Sequence, residues 1–124
     1  MSITVSMDRQ LAEKRGRRAE SLAALHLALR GWKVVARNLR TPYSEVDMVA
    51  VRRGVCAVVE VKARANWQAC EDALDWTTRR RLDDAADWIA DRYPQAQDRD
   101  VEIHAVYVVG LRVRHVPRVW EAGD

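Results

Sequence analysis

The stretch from Glu45 to Arg64 constrains this chain more than any other. It reads Glu45-Val-Asp47, an apolar run to Val51, the punctuation Arg52-Arg53-Gly54, a second apolar run from Val55 to Val59, then Glu60-Val-Lys62. Two β-branched runs joined at a glycine predict a hairpin. Side chains alternate faces along a strand, so Glu45 and Asp47 share one side of the first strand, and Glu60 and Lys62 share one side of the second. If Arg53-Gly54 is a two-residue turn, Asp47 falls opposite Glu60 and Glu45 opposite Lys62. A three-residue loop would break that register.

At 124 residues and 48% apolar content, the chain suits a single domain over 1–124 with a real core, residues 1–8 forming a flexible arm. No apolar stretch approaches the roughly 18 residues of a membrane span, and Met1 to Gln10 lacks the apolar centre of a secretory signal. The expected location is the cytoplasm, without membrane association. Cys56 lies in an apolar strand and Cys70 in a predicted loop, with no spacing that suggests zinc, so both are expected as free thiols. Residues 1–60 carry eleven Lys/Arg against six Asp/Glu, and residues 61–124 carry ten against twelve. A basic N-terminal half suits a polyanion such as nucleic acid, although a solvated helix face has the same composition.

The pattern predicts a helix from Asp8 to Arg30, stopped at Gly31, with a basic first half (Arg9, Lys14, Arg15, Arg17, Arg18) and an apolar second half. At 100° per residue, Ala19, Leu22, Leu25, His26 and Leu29 form one stripe, while Glu20, Ala24 and Leu27 lie on the far side. Glu20 either turns inward toward a site or pairs with a neighbouring arginine in solvent. Trp32–Arg37 reads as a short strand and 38–44 as a loop. Residues 65–72 read as irregular, and a second helix is predicted over Leu74–Tyr93, with Leu74, Leu82, Ala85, Ala86 and Ile89 buried and Pro94 as its stop. Val101–Val109 and Arg112–Val116 complete the strands. This order predicts an α/β (α+β) sandwich, a short mixed β-sheet flanked by helices. Between Glu71 and Asp100 nine acids face five arginines, so phosphate contact there should concentrate on Arg79, Arg80 and Arg81.

Two carboxylates with a backbone carbonyl can hold Mg²⁺ or Mn²⁺, with waters retained. Asp47 and Glu60 are the expected ligands. Lys62, about 6.6 Å along the strand from Glu60, can orient or deprotonate an attacking water. The alternative is a solvated strand edge with cross-strand ion pairs. Burial favours the site, because a charge beside Val58 and Val59 is costly unless it is paired or binds metal.

The segments Gly16-Arg-Arg-Ala-Glu20-Ser-Leu-Ala-Ala, Gly31-Trp-Lys-Val-Val-Ala-Arg-Asn38-Leu-Arg, Glu45-Val-Asp47-Met-Val-Ala and Val58-Val-Glu60-Val-Lys62-Ala-Arg64 occur in this order. Together they resemble the bacterial YraN family, which is similar to archaeal Holliday-junction resolvases within the PD-(D/E)XK nuclease superfamily. The resemblance implies a restriction-endonuclease-like fold and a Mg²⁺- or Mn²⁺-dependent endonuclease acting on branched or single-stranded DNA. It implies Glu20 as an acid lining the site, Asp47 and Glu60 as metal ligands, Lys62 as the catalytic lysine, Glu45 as site-adjacent, and a homodimer with paired sites. Arg15, Arg17, Arg18, Arg64, Arg79 and Arg80 are the candidate nucleic-acid contacts. The chain departs from the family pattern at Ala19, Ser44, Thr78 and His104, and through the acidic segment 66–72. A noncatalytic binding module that keeps the nuclease fold is the competing expectation.

Three histidines remain. His26 is expected in the core of the first helix and His104 as a hydrogen-bonded structural group. His115, beside Arg112, Arg114 and Arg118, reads as a phosphate contact or part of a solvated tail. Of the five tryptophans, Trp67 and Trp76 are placed where they could stack on an unpaired base.

Overall fold

The computed structural model describes residues 3–120. The side chains of residues 3–9, 11–13 and 15 lie outside that description, so the candidate contact Arg15 is not placed. Helix α1 (Ile3–Leu29) is followed by strands β1 (Lys33–Arg40), β2 (Glu45–Arg52) and β3 (Val55–Ala63). Helices α2 (Trp67–Ala73) and α3 (Trp76–Arg92), a 3₁₀ turn at Pro94–Ala96, and strands β4 (Asp100–Val109) and β5 (Arg112–Val116) complete the chain. The five strands form one mixed sheet in sequence order. Only β3 and β4 run parallel, which is why the two helices lie between them as a crossover. The expected α+β sandwich, a mixed sheet flanked by helices, is the observed architecture. No described helix is long and apolar enough to cross a membrane.

The hairpin β2–β3 takes the two-residue turn. Its pairs run from Arg52↔Val55 to Met48↔Val59, with Arg53 at φ 53°. Gly31 ends α1 in the left-handed region at φ 89°, and the N–H of Trp32 turns back to the carbonyl of Leu27 at 3.0 Å. The α1 face of the sheet packs Met48, Ala50, Ala57, Val59, Val106 and Val108 against Ala19, Ala23 and Leu27. The opposite face packs Val49, Val51, Cys56 and Val58 against Leu82, Ala85, Ala86 and Ile89 of α3. These four residues of α3 were the expected ones.

Several expectations need correction. Helix α1 starts at Ile3 instead of Asp8. Its buried stripe is Ala19–Ala23–Leu27, whereas Leu25 and Leu29 are 56% and 75% exposed and His26 is half-buried. A segment apolar on all sides leaves the choice of face to packing, and the two alanines let the helix approach the sheet closely. Strand β1 extends to Arg40, through Asn38 at φ 54°, a conformation that asparagine tolerates better than most residues. Residues 65–72 are not irregular. Asn66 caps α2 by accepting the N–H of Ala69 at 2.8 Å, and Asp75 starts α3 afresh by accepting the N–H of Thr78 at 2.9 Å. The predicted single helix from Leu74 is therefore two helices, with Leu74 as the cap of the first. Cys70 consequently lies buried on α2, its thiol 3.3 Å from the carbonyl of Lys62, and both cysteines are free.

Candidate active site

The site forms where β2 and β3 part. Continued by alternation, the hairpin's hydrogen bonding would give the N–H of Val61 to Val46. Instead Val61 donates to Asp47 Oδ2 at 2.8 Å. The break in alternation also shows in packing, since Val46 lies with the α3-side core and Met48 with the α1-side core. Asp47 thus takes a side-chain position inside the split sheet, next to Glu60.

Glu60 is only 4% exposed, and its Oε2 carries two cations: Lys62 Nζ at 3.2 Å and Arg81 Nη2 at 2.8 Å. A second nitrogen of Arg81, Nη1, donates to the Glu45 carbonyl at 3.3 Å, so one guanidinium spans β2 and β3. Lys62 is 17% exposed at its side chain. Burial pushes the Asp47 carboxyl up to about 7, the Glu60 carboxyl beside it adds to the rise, and the Val61 N–H opposes it. Asp47 and Glu60 line the same groove, and the nearness of the second carboxylate disfavours charge on Asp47. Two carboxyls this close hold either a proton or a cation.

Glu20 reaches the same place from α1. Its carboxyl is raised above the usual range by burial, against the pull of Arg37 and a hydrogen bond from Asn38, with Glu45 and Glu60 adding to the rise. The inward orientation left open by the sequence is the one the fold adopts. Glu20, Asp47, Glu60, Lys62, Arg18 and Arg64 all line a groove of about 720 Å³.

Other expected residues stand elsewhere. Glu45 is exposed and near enough to raise Glu20, but among the described residues the carboxylate within 4.0 Å of Lys62 is that of Glu60. Arg17 is exposed outside the groove lining, Arg79 lies over the Trp120 ring at 5.5 Å, and Arg80 lies over Trp76 at 5.4 Å. Arg81 was expected only as one of three possible phosphate contacts, and its pairing with Glu60 was not foreseen. Its signal was only its place at the end of an arginine run, four residues before buried Ala85 and so on the same side of the helix. Arg37 and Asn38 were also missed as partners of Glu20, although a left-handed asparagine in a strand is a residue type that marks such a departure.

His104 is the structural group expected, buried with Nε2 2.8 Å from Glu102 Oε1 and Nδ1 2.8 Å from His115 Nε2. His115 is not part of a solvated tail, because it lies in β5, half-buried against His104 and the edge of Trp32. Burial lowers both imidazoles, His115 to about 4.

Among the described residues no three His, Cys, Asp or Glu side chains converge as a ready metal cage. A hard divalent ion takes one or two carboxylates and keeps several waters, so the Asp47–Glu60 pair is sufficient as a donor set. Asp47 Oδ2 and Glu60 Oε2 are already engaged by Val61 and Arg81, which leaves Oδ1 and Oε1.

Residues 19–110 match the family model described as "Uncharacterised protein family UPF0102". The chain belongs to the UPF0102 family. Similarity over most of the chain agrees with that membership. A UPF0102 protein of Parvibaculum lavamentivorans is 44% identical over 110 residues, covering 88% of this chain and 83% of the relative. A UPF0102 protein of Sphingopyxis alaskensis is 40% identical over 116 residues, covering 93% and 99% respectively. The matched span holds Glu20, Asp47, Glu60, Lys62 and Arg81, so the acid cluster and its two cations lie in the part that the family model covers, while Arg18 lies just before it.

Proposed function

We propose that this UPF0102 protein is a Mg²⁺- or Mn²⁺-dependent endonuclease-like enzyme that hydrolyses phosphodiesters in branched or single-stranded DNA. The observation that carries this reading is the proximity of Asp47 and Glu60 at the strand split, with Lys62 held 3.2 Å from Glu60. The resemblance to the YraN family and its resolvase-like relatives supports the same reading, and with it the restriction-endonuclease-like fold and a homodimer.

Asp47 and Glu60 would hold the ion, whose contribution is to polarise a phosphate oxygen and acidify a water. The protein's own residues supply the rest. Glu60 fixes the Lys62 ammonium at the floor of the groove, where it can orient the attacking water and offset charge developing on the phosphate. Glu20, turned into the same groove from α1, supplies a further acid beside the pair that can accept a proton from that water. Arg18 and Arg64 at the groove supply positive charge for the flanking phosphates. Free thiols at Cys56 and Cys70 suit the reducing cytoplasm.

The test is cleavage of labelled four-way junction, flap, single-stranded and duplex DNA with Mg²⁺ or Mn²⁺, comparing the wild type with Asp47→Ala and Lys62→Ala. Cleavage by the wild type, reduced at least ~100-fold in both variants, is the expected result. One observation favours a second reading, a noncatalytic binding module: Arg81 already neutralises Glu60 without any ion. Retained DNA binding with no cleavage in either metal would favour it.

A further inference from the structure

Glu60 Oε2 faces more positive charge than one carboxylate needs. Lys62 comes from the same strand, but Arg81 comes from α3, and its guanidinium also donates to the Glu45 carbonyl on β2. The two arginines before it in sequence are turned to tryptophan rings, so Arg81 is the member of the run that meets the acid pair. Its side chain is 33% exposed, against 5% for Glu60, so it can swing toward solvent while Glu60 cannot. If Arg81 leaves, Glu60 keeps Lys62 as a partner, and no buried charge is stranded.

We infer that Arg81 is an internal counter-cation that occupies Glu60 in competition with a divalent ion, and so sets the metal concentration at which the site loads. This rests on the reading of Asp47 and Glu60 as metal ligands. An ion arriving at the pair meets the positive charge of Arg81 bound to one of its two carboxylates, and must either displace the guanidinium or bind against its repulsion. In either case Arg81 weakens loading, and it does so from a helix that lies outside the groove. Arg81 is therefore a regulatory residue of the site and touches neither water nor phosphate in the proposed reaction.

The test is Mn²⁺ binding followed by the electron paramagnetic resonance signal of the free ion, on wild type, Arg81→Gln, Arg81→Lys and the double variant Arg81→Gln/Asp47→Ala. Arg81→Gln should bind Mn²⁺ roughly tenfold more tightly than wild type. The gain should disappear in the double variant. Arg81→Lys retains charge but cannot span Glu60 and the Glu45 carbonyl together, so a smaller tightening is expected; it keeps the test open if the glutamine variant does not fold. Unchanged or weaker Mn²⁺ binding in the folded Arg81 variants would overturn the inference, as would tightening that survives loss of Asp47. The cleavage assay reads the proposed function separately: tightening without any cleavage leaves the inference standing and the nuclease reading refuted.

Discussion

Glu60 is the residue on which the site balances, since it is nearly buried and accepts from both Lys62 and Arg81 on one oxygen. Truncating one member of such a group leaves cations without their partner. Glu60→Ala should therefore destabilise the fold by about 2 kcal/mol, at the low side for a buried pair because Lys62 and Arg81 retain some access to water. Glu60→Gln, which keeps an acceptor, should lose less. Urea unfolding of the three proteins measures the difference, and a Glu60→Ala variant as stable as wild type would remove the argument for a charge-balanced site. The residue types here were legible in the sequence: acid-x-acid and acid-x-lysine on a hairpin. The role of Arg81 at Glu60 was not, because its contacts join α3 to β2 and β3 over distances of 36 and 21 residues in the chain, respectively.

Among the elements, α1 shows how packing chooses between faces that composition leaves equal. Ala19 and Ala23 lie against the sheet, and their small size sets how near Glu20 comes to Asp47 and Glu60. Ala23→Leu should overpack this contact, lowering stability by about 2 kcal/mol and weakening whatever activity depends on Glu20. Leu25→Lys, on the exposed side, should stay within about 0.5 kcal/mol of wild type. Thermal unfolding of both variants checks the pair, and the opposite ranking would return the buried face to the Leu22–Leu25–Leu29 stripe. Helix α2 depends on a single side chain for its start. Asn66→Ala should cost about 1 kcal/mol, with faster hydrogen exchange at the amides of Ala69 and Cys70 as the local readout. This helix escaped the sequence reading because seven residues give too little periodicity to recognise, although asparagine at its cap position was the available signal.

Across the whole molecule, two half-buried groups titrate with opposite consequences for stability. His115 takes its proton near pH 4 in the fold, below its ordinary 6.5, because burial and the charges of His104, His26, Arg30 and Arg52 oppose the imidazolium. The unfolded chain protonates first, so this contribution to stability is complete above 6.5 and is lost as the pH falls toward 4. His104, also lowered and held by Glu102, acts in the same direction. Asp47 is raised from its ordinary 3.8 to about 7, so its cost to stability is complete above 7 and is relieved as the pH falls from there toward 3.8. Comparing His115→Gln with wild type removes the Asp47 slope common to both. Between pH 7 and 5 the urea midpoint of the wild type should fall more steeply than that of the variant, and parallel slopes would show that His115 titrates freely.

The amino-acid sequence by itself determined the elements with long, strongly patterned segments: α1, the β2–β3 hairpin with its two-residue turn, the buried side of α3, and β4. Local physics suffices for these, because alternation and turn chemistry act between residues close in the chain. It also placed Asp47, Glu60 and Lys62 on neighbouring strands. Only the tertiary structure decided which face of α1 is buried, that Glu20 turns inward beside Asn38 and Arg37, that His104 and His115 join, and that Arg81 closes on Glu60. Each of these depends on contacts between elements distant in sequence. The net balance of burial and charge that selects among them exists only once the sheet and both helical layers are assembled.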